Sequence, residues 1–315
     1  MRAIAIQKFD GIEALEVMDL PKPKPASDEI LVKIKAAGIN PVDRKIREGF
    51  LKDRMPYQFP IILGWDASGI IEELGSQISG FKVGDEIFAY TRKEIIHDGS
   101  YAEWITLKRH HLAFKPKNLS FEEAAVLPLA SLTAYQALFE SLKIQKGEKI
   151  LIHAGGGGVG GYAIPMAKNA GAHVLTTASA GKHAELQMLG ADECIDYQKV
   201  DFVQEIHRRY PKGLNAVFDT VGGEVQTQSA QVLKAGGRLT SILTLDSDFF
   251  HSQNIQANYV FVRPDAHQLE QICNWAETGL LRPRLTQTFA LSQAAEAHRW
   301  IEQGHGTGKI AFQIP

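Results

Sequence analysis

The nine residues HAGGGGVGG, at positions 153–161, contain six glycines, and this stretch restricts the possible folds of the chain more than any other. Glycine is costly in backbone entropy, so a cluster this dense needs a steric reason. Residues 149–154, just before it, have the composition of a buried strand, and the apolar residues from Val159 onward have helical spacing. The sequence therefore predicts a strand, a tight glycine turn and a helix in direct succession.

Gly155-x-Gly157-x-x-Gly160 has the spacing of a dinucleotide-binding turn. In such a turn the first glycine permits the bend, the second lets the backbone approach a pyrophosphate, and the third lets helix and strand pack closely. The helix N-terminus adds free amides and a partial positive charge. We therefore predict a cofactor site that also includes Gly158 and Val159. The alternative is a glycine-rich turn that binds no ligand.

The segments that follow the turn alternate between strands and helices. Strands spaced by helices of this length form parallel βαβ units, and hence an open, doubly wound sheet. The predicted strands of this Rossmann-type sheet are residues 149–154, 173–178, 193–196, 216–219, 238–243 and 259–262.

The first 120 residues are different, because they read as short strands broken by Gly and Pro. Ile30, Val32 and Ile34 alternate with other residues in the period-two pattern of a half-buried strand. A capping box at Ser120 and Glu123 then starts the first helical segment. We predict an α/β protein in which residues 1–121 and 264–315 form a β-rich catalytic domain and residues 122–263 form the Rossmann domain.

Composition excludes several classes of protein. The formal net charge is −2 and no basic tract occurs, so we expect no nucleic-acid binding. The sequence contains no uncharged run of about 18 apolar residues, so we expect no membrane span. The first residues lack a signal-peptide pattern. Two cysteines supply neither a four-cysteine zinc site nor a disulfide framework. We expect a cytoplasmic protein.

The end of the second predicted strand bears on which dinucleotide is bound. An NAD site usually places Asp or Glu about 20 residues after the glycine turn, to bond the ribose 2′-hydroxyl. Residues 176–184 contain no acidic residue here, and Glu185 is the first. Ser179 and Lys182 can bind a 2′-phosphate instead, which favours NADPH over NADH. For Lys182, the alternative of an ordinary solvated residue at a helix start stays open.

Several further stretches occur in a characteristic order along nearly the whole chain. They are residues 38–43 (GINPVD), 63–69 (LGWDASG), 81–85 (FKVGD), 99–103 (GSYAE), 127–135 (LPLASLTAY) and 308–309 (GK). With the glycine turn, they make the chain resemble the medium-chain dehydrogenase/reductase superfamily. The resemblance implies a GroES-like fold for the β-rich domain.

The resemblance also bears on metal. The zinc alcohol dehydrogenases of that superfamily have a catalytic cysteine where this chain has Asn40, and Gly-His-Glu where it has Gly64-Trp65-Asp66. Zinc needs Cys, His or carboxylate ligands; Trp65 is none of these, and Asp66 alone does not make a site. We expect no metal, and the chain resembles the zinc-free quinone oxidoreductase-like branch.

That branch implies hydride transfer from NADPH to a small electrophile, either a quinone or an α,β-unsaturated carbonyl compound. It places Asn40 and Thr133 beside the nicotinamide. Quinone reductases often carry tyrosines just after the asparagine, where this chain has Lys45 and Leu51, so Lys45 becomes a candidate donor to a substrate oxygen. Each candidate has a structural alternative: a turn residue for Asn40, a hydroxyl bonded within its helix for Thr133, and a surface lysine for Lys45.

The other cofactor contacts implied by the resemblance lie at the 2′-phosphate and over the nicotinamide. They are Ser179, Lys182 and Tyr197 around the phosphate, and Leu243, Phe261 and Arg263 over the nicotinamide. For Tyr197 the alternative is packing at the end of a strand.

The sequence also bears on assembly, on metal binding and on other functions. Residues 259–262 predict an apolar edge strand that pairs with a second copy of the chain, hence a homodimer, an expectation to which the resemblance also contributes. His110 and His111 are adjacent on a predicted strand, where neighbouring side chains point to opposite faces, so we do not interpret them as a metal site. Two other functions stay open: reduction of an unsaturated acyl thioester, and non-catalytic NADPH binding.

Overall fold

The computed structural model describes residues 1–304 and 308–315. They form two compact units, one comprising Met1–Leu129 and Arg263–Pro315 and the other Ala130–Val262. The first boundary lies later in the chain than residue 121, because the helix Phe121–Ala125 packs on the sheet of the first unit. There Ser68 Oγ donates a hydrogen bond to the carbonyl oxygen of Phe121 (2.6 Å).

Strands and helices are numbered in chain order. The strands are β1 (Arg2–Ile6), β2 (Glu16–Asp19), β3 (Glu29–Ile39), β4 (Ile61–Ile62), β5 (Asp66–Leu74), β6 (Glu86–Tyr90), β7 (Trp104–Lys108), β8 (Leu112–Phe114), β9 (Lys149–Ile152), β10 (His173–Thr177), β11 (Glu193–Ile195), β12 (Leu214–Asp219), β13 (Leu233–Ser241), β14 (Gln256–Tyr259), β15 (Leu285–Ala290) and β16 (Lys309–Gln313). The helices are α1 (Pro41–Arg47), α2 (Phe121–Ala125), α3 (Pro128–Tyr135), α4 (Gly160–Asn169), α5 (His183–Met188), α6 (Phe202–Arg209), α7 (Gly223–Gln228), α8 (Ser247–Ser252), α9 (Ala266–Glu277) and α10 (Ala294–Glu302).

The first unit is built around β3. Its larger sheet has the order β15-β16-β3-β5-β6-β8, with β7 also paired to β3, and its smaller sheet has the order β2-β1-β4. Ile30, Val32 and Ile34 are fully buried, in agreement with the period-two pattern, and Leu31 on the opposite face is buried as well. The predicted β-rich architecture is confirmed.

The second unit contains one open sheet in the order β11-β10-β9-β12-β13-β14, and its strand pairs are parallel. The chain builds outward from β9 through β10 to β11, and then resumes on the other side of β9 with β12. This is the doubly wound Rossmann order, so the predicted fold class is confirmed. In such sheets ligands bind at the carboxyl ends of the strands where the order reverses, here between β9 and β12.

The last predicted strand of this sheet was misplaced. The strand expected at residues 259–262 is instead Gln256–Tyr259, with Arg238 opposite Gln256 and Ser241 opposite Tyr259. It is an edge strand, so its residues are mostly exposed and polar, and an apolar pattern does not reveal it. Residues 260–262 are more apolar, but they lie beyond the end of the paired strands, because the partner strand β13 ends at Ser241.

The core of the second unit forms between the sheet and the segments that cross it. Leu151, Leu175 and Val217 from three adjacent strands pack with Phe202 and Ile206 of α6. Within residues 1–304 and 308–315, no helix combines the length and the apolar character needed to cross a membrane.

Candidate active site

The glycine turn lies at the carboxyl end of β9, and two of its glycines are sterically required. A Cβ at Gly155 would lie 2.2 Å from Thr176 Oγ1, and a Cβ at Gly160 would lie 2.6 Å from the carbonyl oxygen of Ala154. Both distances are shorter than real Cβ contacts, so neither position accepts a side chain without displacing its neighbours. The turn therefore presents bare backbone, as the approach of a pyrophosphate requires.

Gly157, Gly158 and Val159 form the outer part of the turn, and all three are partly exposed. The amide of Gly157 donates to the carbonyl of Ala154 (2.9 Å) and closes the bend, and α4 begins directly afterwards at Gly160. The first amides of a helix have no acceptor within the helix and carry a partial positive charge. These residues fit the phosphates of a bound dinucleotide.

Lys182 reaches back over the same turn. It ends the short 3-10 segment Ala180–Lys182 that follows β10, and its Cδ and Nζ lie 2.5 and 3.3 Å from the place that a Cβ on Gly156 would occupy. The bare backbone of Gly156 thus makes room for the lysine side chain. The Lys182 side chain thus places a positive charge beside the turn.

Ser179 and Tyr197 follow the ends of the two adjacent strands β10 and β11. Ser179 precedes the segment that carries Lys182, and Tyr197 is 59% exposed. That exposure argues against packing at the strand end as the main role of Tyr197. Together with Lys182, these residues place two hydroxyl groups and one ammonium group beyond the carboxyl ends of β10 and β11.

Asp219, at the end of β12, organises the neighbouring loops, and sequence reasoning did not single it out. Its fully buried carboxylate accepts hydrogen bonds from the amides of Val221 and Gly222 (both 2.9 Å) and from the side chains of Gln226 (2.9 Å) and Ser241 (2.7 Å). The available signal was an acidic residue at the end of a predicted strand, followed by two glycines. Asp219 ties the loop after β12 to the end of β13.

The remaining predicted residues of the second unit occupy different environments. The amide of Leu243 donates to Ser241 Oγ (3.0 Å). Because Ser241 itself bonds Asp219, the hydrogen bonds around Asp219 also hold the loop after β13. Phe261 stacks on Tyr259 with ring centroids 6.4 Å apart. Thr133 is a buried residue of α3.

In the first unit, Asn40 belongs to a buried polar cluster. Its Nδ2 donates to Asp66 Oδ2 (2.9 Å), and its Oδ1 accepts a hydrogen bond from the ammonium group of Lys309. The other oxygen of Asp66 accepts from the amide of Leu129 (2.7 Å). The position at which zinc dehydrogenases carry cysteine is therefore an amide whose orientation is set by a carboxylate on one side and an ammonium on the other.

Asp43 extends this cluster. Its Oδ2 accepts from the amide of Asn40 (2.7 Å) and from the hydroxyl of Tyr101 (2.8 Å). Burial raises the pKa of Asp43 to about 7. Burial also raises the pKa of Asp66 to about 6, against the opposing effects of Lys309 and Asn40, and it lowers the pKa of Lys309.

Two other candidates of the first unit lie near the surface. Lys45 is an exposed residue of α1, and its pKa is lowered by partial desolvation of the ammonium group and by the charge of Arg54. Arg263 has an exposed side chain that forms an ion pair with Asp265 (3.4 Å). Both can therefore present a positive charge at the surface of this unit.

The histidine pair differs from expectation. Residues 109–111 form a 3-10 turn rather than a strand, so the His110 and His111 rings lie together, with centroids 4.1 Å apart. The ring nitrogens of His111 face the carbonyl oxygens of Lys108 (3.3 Å) and Arg92 (3.0 Å). Within the described part of the chain, no group of three or more His, Cys, Asp or Glu is arranged to hold a metal ion.

A second buried polar contact joins α1 to α10. Arg47 Nη1 donates to His298 Nδ1 (2.8 Å), and Arg47 Nη2 bonds Glu48 (2.7 Å) and Glu302 (2.8 Å). Because Arg47 is always a donor, His298 accepts and is neutral in the folded protein. Burial and the charge of Arg47 lower the pKa of His298 to about 3.

We expect this histidine to make the protein less stable in acid. Since the unfolded chain binds a proton on His298 below pH 6.5 and the folded chain does so only near pH 3, stability falls as the pH decreases through that interval. His298→Asn keeps an acceptor for Arg47 without a titrating group. The unfolding free energy of the wild type minus that of the variant should fall by about 1.4 kcal/mol per pH unit below 6.5 in urea titrations.

Asp43 acts in the opposite direction, since its raised pKa reduces stability as the pH rises from 3.8 to about 7. The comparison of wild type with His298→Asn cancels this contribution. A difference that does not change between pH 7 and pH 5 would contradict a neutral His298.

The fold and site together define a class of protein. A β-rich unit combined with a Rossmann unit that has a bare glycine turn is the architecture of two-domain dehydrogenases and reductases. Residues 26–117 match the sequence family described as "Alcohol dehydrogenase GroES-like domain", and residues 189–311 match the family described as "Zinc-binding dehydrogenase".

Individual proteins place the chain more closely. The tomato (Solanum lycopersicum) 2-methylene-furan-3-one reductase is 33% identical, over 99% of this chain and 79% of the relative. The structure of the quinone oxidoreductase from Coxiella burnetii has a TM-score of 0.90 and 34% identity, covering 100% of this chain and 99% of the other. The Escherichia coli quinone oxidoreductase complexed with NADPH has a TM-score of 0.89 and 26% identity, covering 100% of both chains.

The chain belongs to the medium-chain dehydrogenase/reductase superfamily, in its zinc-free quinone oxidoreductase-like branch. It is an oxidoreductase of the quinone oxidoreductase type, and the GroES-like identity of the β-rich unit is confirmed.

Proposed function

We propose that the protein transfers hydride from NADPH to a small electrophilic acceptor, either a quinone or an α,β-unsaturated carbonyl compound. The observation that carries the proposal is the ammonium group of Lys182 over the glycine turn, with no carboxylate between Thr177 and Lys182. A carboxylate there would repel a 2′-phosphate, whereas an ammonium group attracts it. The E. coli relative was crystallised with NADPH, which supports the same cofactor.

Different residues of this chain would bind different parts of the cofactor. The turn from Gly155 to Gly160 would hold the pyrophosphate with backbone amides, and Ser179, Lys182 and Tyr197 would bind the 2′-phosphate. When bound, NADPH supplies the hydride, and the protein supplies position and electrostatics. It stays a prediction that the nicotinamide is contacted by Leu243, Phe261 and Arg263.

Asn40, Thr133 and Lys45 are the proposed residues of the reaction site. The side chain of Asn40 has a fixed orientation because Asp66 and Lys309 hold both ends of its amide. Such an amide keeps its donor and acceptor atoms in place, as a site that orients a reacting group requires. The exposed Lys45 is proposed as a donor toward a substrate oxygen, where a developing negative charge benefits from a positive neighbour.

Lys182→Met is expected to raise the dissociation constant for NADPH by about 10- to 100-fold, because one charge-assisted hydrogen bond is lost. Affinity for NADH should change little, since NADH has no 2′-phosphate. Both constants are measured by isothermal titration. Lys212→Met is the matched control, because Lys212 is exposed and precedes β12, at the amino ends of the parallel strands and opposite the glycine turn. An equal loss for both nucleotides would assign Lys182 to the pyrophosphate and contradict the 2′-phosphate proposal.

The reaction itself is tested by consumption of NADPH. Chelator-treated protein is assayed with a series of quinones and then with α,β-unsaturated ketones, and NADH is run alongside. The proposal predicts turnover that persists with chelator and favours NADPH. Activity lost with chelator would contradict zinc-free chemistry, and a preference for NADH would contradict the 2′-phosphate assignment. The tomato relative, named as the reductase of a methylene-furanone, is the reason to include conjugated enones among the acceptors.

A homodimer and a cytoplasmic location also stay proposals. β14 forms one edge of the parallel sheet, and Tyr259 on it is 40% exposed. An exposed edge strand with an apolar side chain invites pairing with a second copy. Light scattering should report twice the chain mass, and Tyr259→Asp should shift the protein toward the monomer. A monomer at micromolar concentration would contradict the proposal.

A further inference from the structure

His153 lies between the end of β9 and the glycine turn, and it is only 1% exposed. Its ring lies between two hydroxyl groups: Nδ1 is 3.1 Å from Thr177 Oγ1, and Nε2 is 2.9 Å from Ser229 Oγ. Thr177 is the last residue of β10, and Ser229 begins the 3-10 segment Ser229–Val232 after α7. The histidine therefore connects the second strand of the sheet to a segment that follows the fourth.

The direction of each hydrogen bond follows from counting protons. Ser229 has one hydroxyl proton, and it is donated to the carbonyl of Val225 (2.7 Å), so Ser229 Oγ accepts from His153 Nε2. A neutral imidazole with its proton on Nε2 accepts at Nδ1, where Thr177 donates. Thr177 Oγ1 in turn accepts from the amide of Ala154 (3.1 Å). We call Ala154, Thr177, His153 and Ser229 the His153 network.

The far end of this network is the residue around which the glycine turn folds. Ala154 has φ of 51°, in the left-handed region that costs a non-glycine residue about 1–2 kcal/mol. Its carbonyl accepts the amide of Gly157 and is the atom that excludes a side chain at Gly160. The peptide before it is held as well, since Thr220 Oγ1 donates to the carbonyl of His153 (2.9 Å). An unfavourable conformation persists only where the surroundings enforce it.

We propose that His153 is a positioning residue for the dinucleotide: through Thr177 it holds Ala154 in the left-handed conformation that shapes the glycine turn. The inference rests on the proposed function, because it names residues that act on the cofactor through the turn. Ser229 acts at a distance, since it fixes the proton on Nε2 and leaves Nδ1 free to accept. Without Ser229 the tautomer with its proton on Nδ1 becomes available. Thr177 Oγ1 would then accept from Nδ1 as well as from Ala154, and its own proton would lose the acceptor that Nδ1 provides.

The surroundings of the ring favour its neutral form. Phe202 of α6 packs edge-on against the ring with centroids 4.9 Å apart, and Asp219 of β12 is the charged group that acts on it. Burial lowers the pKa of His153 despite that carboxylate, whose oxygens already accept four hydrogen bonds. The network is therefore intact at neutral pH.

The test measures nucleotide affinity rather than turnover alone. Thr177→Val keeps the shape of the side chain and removes its hydroxyl, and it should raise the dissociation constant for NADP⁺ by about tenfold. Ser229→Ala should raise the constant by roughly 2- to 10-fold, because it removes one hydrogen bond of the network. Thr177→Ser restores the hydroxyl and should bind within about twofold of the wild type. Thr227→Val, on α7 but outside the network, is the matched control.

Two further readouts separate positioning from a general loss of structure. At saturating NADPH the kcat of each folded variant should stay near the wild-type value while the KM for NADPH rises. Nitrogen NMR of the wild type should place the His153 proton on Nε2, and this measurement decides the matter if Thr177→Val does not fold. A proton on Nδ1, or wild-type affinity in folded Thr177→Val and Ser229→Ala, would overturn the inference. Failure of the wild type to bind NADP⁺ would instead contradict the proposed function.

Discussion

Gly160→Ala is expected to weaken NADP⁺ binding by about 10- to 100-fold. The added Cβ would lie 2.6 Å from the carbonyl oxygen of Ala154 and 2.7 Å from Gly155 Cα. Both are backbone atoms of the turn, so no side-chain rotation relieves the clash, and α4 must move away from β9. Overpacking of this kind costs about 1–3 kcal/mol, and the displacement moves the amides that the pyrophosphate needs. Isothermal titration with NADP⁺ measures the loss.

Gly181→Ala is the matched control for this substitution. It lies in the 3-10 segment that carries Lys182, and a Cβ there meets no atom within 4 Å. The control should therefore bind NADP⁺ like the wild type. Unchanged affinity in folded Gly160→Ala would show that the turn is not the pyrophosphate site.

Lys309→Met is expected to lower the unfolding free energy by about 3 kcal/mol at pH 8, because it leaves the buried carboxylate of Asp66 without its positive partner. Without the ammonium group, the pKa of Asp66 rises further above about 6. A raised carboxyl pKa makes the folded protein bind more protons than the unfolded chain, so stability falls as the pH rises from 3.8 to the new value. The loss should therefore be smaller at pH 5.5, as measured by urea titration.

The double variant Asp66→Asn with Lys309→Met removes both charges and is the control. It should recover part of the stability at pH 8, since the unpaired charge rather than lost packing causes most of the damage. A loss in Lys309→Met that is equal at the two pH values would contradict a buried charge pair. In either variant Asn40 loses a partner that orients its amide, so we also expect lower activity.

Local features of the site were predictable from the sequence. Gly155 and Gly160 are identified by spacing alone, since their steric requirement arises from the turn itself and from the adjacent strand. The position of Lys182 over the turn was not, because its side chain folds back onto Gly156. Residues 109–111 were wrongly interpreted as extended, because adjacent residues alternate sides only in a strand, and a 3-10 turn brings the two rings together.

Contacts between residues far apart in the chain could not be predicted from the sequence. Lys309 was noticed as part of a short motif, but nothing in the sequence indicates that it reaches Asn40 and Asp66. The roles of Asp219 and Ser229 likewise depend on loops that meet only at the ends of parallel strands. Strand β14 was misplaced for a related reason, since an edge strand carries no apolar pattern that marks its bounds.

The sequence by itself determined the local chemistry of this protein: the alternation of strands and helices, the glycine turn, and the lack of an acidic residue within residues 176–184. These features depend on near neighbours, whose geometry is set by backbone sterics and helix or strand periodicity. The tertiary structure alone decided that Asn40 lies between Asp66 and Lys309, and that Ser229 orients His153 beneath the turn. Those contacts join residues far apart in the chain, and only burial brings them together and makes each unpaired polar group costly.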